Sequence, residues 1–172
     1  MKRAAIFALL ISVCVALAGE KPISKYTSTA QKNAVKFHRE KDDQGEFDGL
    51  FRGFGGYDLE FVGGDERSWI NIKFGKSVVD LREATMNLGA GMGFFPHKAN
   101  DTVEWRGTEK DGRFVPYAVI YRIVGVDENG KRGKTRLVVI KLNKERSRII
   151  GHADEPNAEA EAERIADAAR SD

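Results

Sequence analysis

Residues 50–75 read LFRGFGGYDLEFVGGDERSWINIKFG, and two opposed structures could use so many glycines. They could cradle a phosphate, or they could turn a chain between strands. The flanking pattern decides. Tyr57, Leu59 and Phe61 alternate with Asp58 and Glu60, and Ile70, Ile72 and Phe74 alternate with Trp69, Asn71 and Lys73. A period of two is that of a half-buried strand. Gly63-Gly64-Asp65-Glu66 between the runs is a turn cluster, because glycine tolerates positive φ and aspartate bonds its own backbone. Two such runs about a four-residue connection predict a β-hairpin. A phosphate loop would instead need a Lys followed by Ser or Thr, or Gly-x-Gly-x-x-Gly, at the opening of a helix. Gly53-Phe54-Gly55-Gly56 runs into Tyr57 and a strand, with no helix N-terminus to hold an anion. Gly89-Ala90-Gly91-Met92-Gly93-Phe94 lacks the third glycine as well. Nucleotide binding is therefore not expected.

Outward from this hairpin the chain reads mainly as sheet. Ala34-Val35-Lys36-Phe37 is a candidate short strand within an otherwise polar segment, and Lys41 to Gly45 is a loop by composition. A short helix is expected over Leu81–Leu88, with Asp80 and Glu83 spaced as a capping box and Gly89 at its stop. Thr102–Arg106 is a further strand. Phe114–Val124 is apolar on both faces, as a central strand is, with Pro116 near its entry. Asn129-Gly130 marks a tight turn. Beyond it Lys134–Asn143 alternates, with Val138, Ile140 and Leu142 on one face and Leu137 and Val139 on the other. Arg148-Ile149-Ile150 offers a last strand. In the tail, Pro156 suits a first helical turn, Asp154, Glu155 and Glu159 suit its positive end, and Ala158, Ala162, Ile165 and Ala169 form a narrow apolar stripe. The expected fold is α+β, mainly antiparallel sheet with a short mid-chain helix and a C-terminal helix. Residues 19–152 form the β-rich domain, and 153–172 an acidic helix docked on it.

The N-terminus carries an export signal. Lys2 and Arg3 precede an apolar run from Ala4 to Val15, and Ala16-Leu17-Ala18 supplies the small residues of a cleavage site. The run is well short of the roughly 20 residues of a membrane span, so residues 1–18 are expected to be removed and the protein to act in the periplasm or outside the cell, without stable membrane insertion. Cys14, the single cysteine, lacks the small preceding residue of a lipidation site. Its loss leaves a chain that must fold without disulfides. Removal of Lys2 and Arg3 leaves 26 basic and 26 acidic residues. Residues 131–148 carry eight Lys or Arg against one Glu, while 153–172 carry seven acids against two Arg. Lys131, Arg132, Lys134 and Arg136 could thus meet a polyanion, or form a solvated face matched by the acidic tail. Nucleic acid is not an expected partner of an exported protein.

Tyr26-Thr27, Gly53-Phe54-Gly55-Gly56-Tyr57, Gly64-Asp65-Glu66-Arg67, Glu104-Trp105-Arg106, Pro116-Tyr117-Ala118 and Leu137-Val138-Val139-Ile140-Lys141-Leu142 occur in that order. Together they resemble a group of small exported bacterial proteins of rhizobial type, for which no activity is known. The resemblance implies export and a shared fold, and no chemistry. Members carry a cysteine pair where this chain has Ala34 and Phe51, which implies packing in place of a disulfide.

Catalytic signals are sparse. His38, His97 and His152 stand singly, without the paired spacing of metal ligands, and neither a metal nor a cofactor is expected. Ser68 and Thr102 lie outside any Gly-x-Ser-x-Gly elbow. Asp65 and Glu104 are the candidate carboxylate pair for glycan or peptide hydrolysis, which needs them about 5–9 Å apart in one cleft. Alternatively Asp65 serves its turn and Glu104 pairs with Arg67 or Arg122. Candidate binding residues are the amphipathic aromatics Tyr57, Trp69 and Trp105, with Tyr117 and Tyr121, and the forked donors Arg67, Arg106 and Arg122; core packing is their alternative role. The leading expectation is a non-enzymatic domain that binds a protein or an anionic envelope polymer. An envelope hydrolase and a purely structural factor are the alternatives.

Overall fold

The computed structural model describes residues 20–40, 45–64, 67–88, 99–126, 129 and 131–171, without the side chains of Val126, Arg132 and Ser171. Asp65, His97, the 89–94 glycine cluster and the leader segment lie outside the described residues. The expected α+β fold is present: two antiparallel sheets, a short mid-chain helix and a C-terminal helix. In chain order the strands are β1 (Ile23–Ser28), β2 (Lys36–Arg39), β3 (Phe47–Arg52), β4 (Tyr57–Gly64), β5 (Arg67–Phe74) and β6 (Ser77–Val79). Then come α1 (Arg82–Met86), β7 (Thr102–Lys110), β8 (Arg113–Val126), β9 (Arg132–Lys141), β10 (Arg148–Asp154) and α2 (Ala158–Ala168). Sheet A is ordered β1-β7-β8-β9-β10 and sheet B β2-β3-β4-β5-β6.

The glycines of the 50–75 segment divide between turn and strand. β4 and β5 form the expected hairpin, but Gly63 and Gly64, expected in its turn, belong to β4, opposite Ser68 and Arg67, while β3 and β4 form another hairpin across Gly53–Gly56. In that second turn Gly55 and Gly56 take φ of 64° and 84°, which L side chains rarely adopt. Gly53 has a different reason to lack a side chain: a Cβ there would lie 2.1 Å from the Trp105 ring. The turn closes over the largest buried side chain of the opposite sheet.

The sheets pack face to face over one apolar cluster. Phe47, Phe51, Leu59, Phe61, Ile70 and Ile72 come from sheet B, and Val103, Trp105, Val119, Tyr121, Ile123, Val138 and Ile140 from sheet A. Leu81 of the segment entering α1 closes one side. The second face of sheet A presents Ala118, Ile120, Leu137 and Val139, which Ala158, Ala162 and Ala166 of α2 cover. The expected division of β9 into a Val138-Ile140-Leu142 face and a Leu137-Val139 face is thus realised, each face with its own cluster.

Several boundaries differ from expectation. β1 arises in a segment read as polar, because it is an edge strand whose faces carry Ser, Lys and Thr as well as Ile and Tyr. β2 starts at Lys36; Ala34 ends a turn, its N–H bonded to Gln31. Pro156 precedes α2 rather than opening it, following a cis peptide bond, and Asn157 flanks the first helical residue. Helix α1 is shorter than the expected 81–88 and has no side-chain cap: Leu81 precedes its first residue, and Asp80, one position further back, accepts the Arg82 N–H at 2.8 Å as a turn residue.

Candidate functional site: an acidic trough beside the C-terminal helix

Helix α2 lies over β8, β9 and β10 and reaches toward β7 chiefly through its last turns. A trough remains between the helix and edge strand β1, with β7 as its floor. Cross-strand register sets what faces it: Tyr26 is opposite Glu104 and Glu104 opposite Ile120, and Ser24 is opposite Arg106. These side chains share the outer face of sheet A, while Val103 and Trp105 between them point into the core.

A bulge completes the arrangement. Arg106 pairs with Ala118 but Gly107 with Pro116, so Tyr117 is the extra residue on β8. Such an insertion re-aims side chains, and here Tyr117 joins Ala118 on the helix-covered face. Its hydroxyl donates to Asp167 Oδ1 at 2.6 Å. Asp167 also accepts a two-pronged bond from Arg106, at 3.1 Å from Nε and 2.6 Å from Nη2. Arg106 Nη1 donates to Ser24 Oγ at 2.7 Å, and Ser24 donates to Glu104 Oε1 at 2.5 Å. At the other end of the helix Arg122 holds Glu155 at 3.0 Å and Glu159 at 2.5 Å. An alanine stripe buries little apolar area, so these charge-assisted bonds carry much of the docking. Asp167 sits near the helix C-terminus, where an anion is disfavoured by the helix dipole; the Arg106 and Tyr117 contacts account for its presence there.

Glu104 differs from the rest. It is only 7% exposed, yet its closest cation, Arg106 Nη1, is 3.8 Å away and engaged with Asp167 and Ser24 through its other contacts. Among the described residues, Oε2 receives no hydrogen bond. Burial raises its pKa, and the charges of Glu163 and Glu159 add to the effect, over the opposing influence of Ser24 and Arg106. Asp167 goes the other way: burial alone would raise its pKa, but the Arg106 and Tyr117 bonds bring it below the usual carboxylate value. Tyr117 is raised by burial and by Asp167. Around the trough, five carboxylates (Glu104, Glu155, Glu159, Glu163, Asp167) meet Arg106 and Arg122, with Arg170 acting on Asp167 from the helix end. A cavity of about 60 Å³ opens there, with Tyr26, Asn100, Thr102, Glu104, Arg122 and Glu159 among its lining.

The expected binding residues do not converge. Trp105 is fully buried, its Nε1 donating to Thr27 at 2.8 Å, and belongs to the core. Tyr57 is half-buried in sheet B, its ring tilted against Phe74 and its hydroxyl accepting the Lys144 N–H. Arg67 and Trp69 also lie on sheet B, with the Arg82 guanidinium over the Trp69 ring. Only Arg106 and Arg122 share the trough with Glu104. Glu104 pairs with neither Arg67 nor Arg122; Ser24 and Arg106 are its partners. As for the carboxylate pair, Gly64 and Arg67 on either side of Asp65 belong to sheet B, whereas Glu104 faces away from sheet B, so nothing in the described residues joins the two.

The basic run 131–148 also divides. β9 spans ten residues, roughly 33 Å at about 3.3 Å per residue, with Arg132, Lys134 and Arg136 in its first half and Lys141 at its far end. Arg136 is bound two-pronged to Asp154, at 2.8 and 3.0 Å, and donates to the Leu88 carbonyl. Lys134 is exposed, as is Lys131 just before the strand. Among the described residues no cluster of His, Cys, Asp and Glu is placed to hold a metal, and no helix is long and apolar enough to cross a membrane. A larger hollow of about 210 Å³ beside His38, Glu40, Glu46 and Asp48 is lined by exposed charges that water already solvates.

No family model, curated protein or solved structure matches the chain. The resemblance to small exported bacterial proteins therefore rests on its short motifs, and the site's chemistry on its geometry.

Proposed function

We propose that this protein is an exported, non-enzymatic binding domain that engages a protein partner through the trough between α2 and β1. One observation carries the reading: Glu104 is buried on the trough floor, and the carboxylate oxygen that no described residue bonds is not sealed inside the protein but faces the cavity. A largely desolvated carboxylate costs the fold some stability, and its accessible oxygen is an acceptor that a partner's donor can use. Export is supported by the leader-like residues 1–18. The trough favours a protein over an anionic polymer, because its net charge is negative and the basic run offers no continuous face. Hydrolysis by an Asp65–Glu104 pair finds no geometric support.

The test compares the chain from Gly19 to Asp172 with its Thr102→Trp variant, which fills the trough from an exposed position. Both are immobilised and exposed to periplasmic and cell-wall extracts at low and high salt. A protein retained by the parent chain, lost on Thr102→Trp and shown to bind saturably once purified is the expected result. Retention that ignores the substitution, or none from either extract, would overturn the reading.

A further inference from the structure

We infer that the trough takes a lysine side chain of the partner, with its ammonium against Glu104 and its methylenes under Tyr26. The inference deepens the proposed binding function and rests on it.

Three features of the site select this chemistry. Charge comes first: the surplus of carboxylates calls for a cation, and the guanidiniums present are already engaged with Asp167, Glu155 and Glu159. Donor count is second. An ammonium has three N–H donors, and the lining supplies the open oxygen of Glu104, the Thr102 hydroxyl and Glu159, only one of whose oxygens is held by Arg122. Size is third. A cavity of about 60 Å³ exceeds the roughly 10–15 Å³ that a single water needs, so it admits an ammonium and its adjoining methylene. A guanidinium carries five donors in a fixed plane, against those three acceptors.

Tyr26 supports a chain-borne amine. It is 60% exposed and projects from the row that holds Glu104, so its ring can cover the aliphatic stem while its face attracts the cation. Edge strand β1 also leaves the approach to Glu104 open on the side away from α2.

Binding must then depend on pH in a set direction. The groups facing Glu104 are Ser24 and Tyr26 from β1, Arg106 from β7, Arg122 from β8, and Glu159 and Glu163 from α2. A proton on Glu104 competes with the ammonium. Its raised pKa places that competition above the ordinary glutamate range, so affinity falls as pH drops toward 4.

The probes are Ac-Gly-Lys-Gly-NH2, the same peptide acetylated on its lysine, and Ac-Gly-Arg-Gly-NH2, added to 15N-labelled Gly19–Asp172 at pH 7. The lysine peptide should give saturable shift changes at the amides of Tyr26, Thr102 and Glu104, and the other two peptides affinities at least tenfold weaker. Glu104→Gln, whose amide can still accept from Ser24, should keep a dispersed, folded spectrum and lose at least tenfold in affinity. No saturable change with the lysine peptide, equal binding of the acetylated peptide, or unchanged affinity in Glu104→Gln would each overturn the inference. Should the lysine probe fail while capture still depends on an open trough, the lysine inference falls alone. Capture indifferent to Thr102→Trp removes the binding function beneath it.

Discussion

The two faces of sheet A are built from alternate residues of the same strands, and they do different work. On the inner face Val103, Trp105, Val119, Tyr121, Ile123, Val138 and Ile140 meet sheet B in a dry, large-residue core. On the outer face Glu104 and Arg106 occupy the alternate positions of β7, and the helix above contributes Ala158, Ala162 and Ala166 with one larger apolar side chain, the partly buried Ile165. Burial of large side chains is worth most in the first case. Directed, charge-assisted contacts hold the second. The inner face is where the fold's stability is concentrated; the outer face gives up some of it at Glu104.

That contrast can be broken most forcefully at Trp105. Trp105→Ala should lower the unfolding free energy by about 3–5 kcal/mol, measured by urea denaturation, and a loss under about 1 kcal/mol would mean the inner face is not the main support. On the outer face Asp167→Ala should cost about 1.5–3 kcal/mol, because Arg106 and the Tyr117 hydroxyl lose a shared acceptor. Hydrogen exchange should speed up over residues 158–168 while the strand cores stay protected. The pH dependence has a definite sign. Asp167 is depressed in the fold, so its contribution is present above its unfolded pKa and fades as pH falls through the lower, folded value. Global unfolding without selective exchange in α2 would contradict a separate outer layer.

Glu104 should behave oppositely. Its pKa is raised, so the fold favours the neutral carboxyl, and the wild type is best served below the unfolded pKa and loses stability as pH rises through the folded one. Glu104→Gln should therefore be at least as stable as wild type at pH 7, with any advantage vanishing as pH falls below 4. A variant clearly less stable at pH 7 would make Glu104 a structural ion-pair partner. The smallest effect belongs to Tyr121, whose buried hydroxyl makes no well-formed hydrogen bond among the described residues; burial raises its pKa to about 12, and the nearby Thr85 hydroxyl offsets this only in part. Tyr121→Phe should leave stability unchanged or raise it by up to about 1 kcal/mol, as a thermal melt would register.

How much of this could be read in the chain differs between the faces too. Strands β4, β5, β8 and β9 declare themselves because each buries a continuous apolar set, and simple periodicity detects that. β1 does not, since an edge strand with one open side tolerates Ser24, Lys25 and Thr27. The trough was legible only in fragments. Glu104, Arg106 and Arg122 were singled out as chemistry-bearing residues, but their convergence depends on register between β1, β7 and β8, which no local pattern encodes. Tyr117 reads only as one more amphipathic aromatic; the bulge that turns it to Asp167 follows from Pro116, whose missing N–H prevents a regular ladder at that point. Ser24 carries no signal at all. Asp167 carries one clue: an acid in the last turn of an alanine-rich helix is misplaced for the dipole and therefore asks for a partner.

The most direct test of the account is the titration of the Glu104 side-chain carboxyl, followed by 13C NMR in the free protein. The midpoint should lie above the ordinary glutamate value of about 4.3 and fall when the lysine peptide is bound. A midpoint at or below that value in the free protein would show that Ser24 and Arg106 already satisfy the carboxylate, and that the trough holds no unmet charge for a partner to answer.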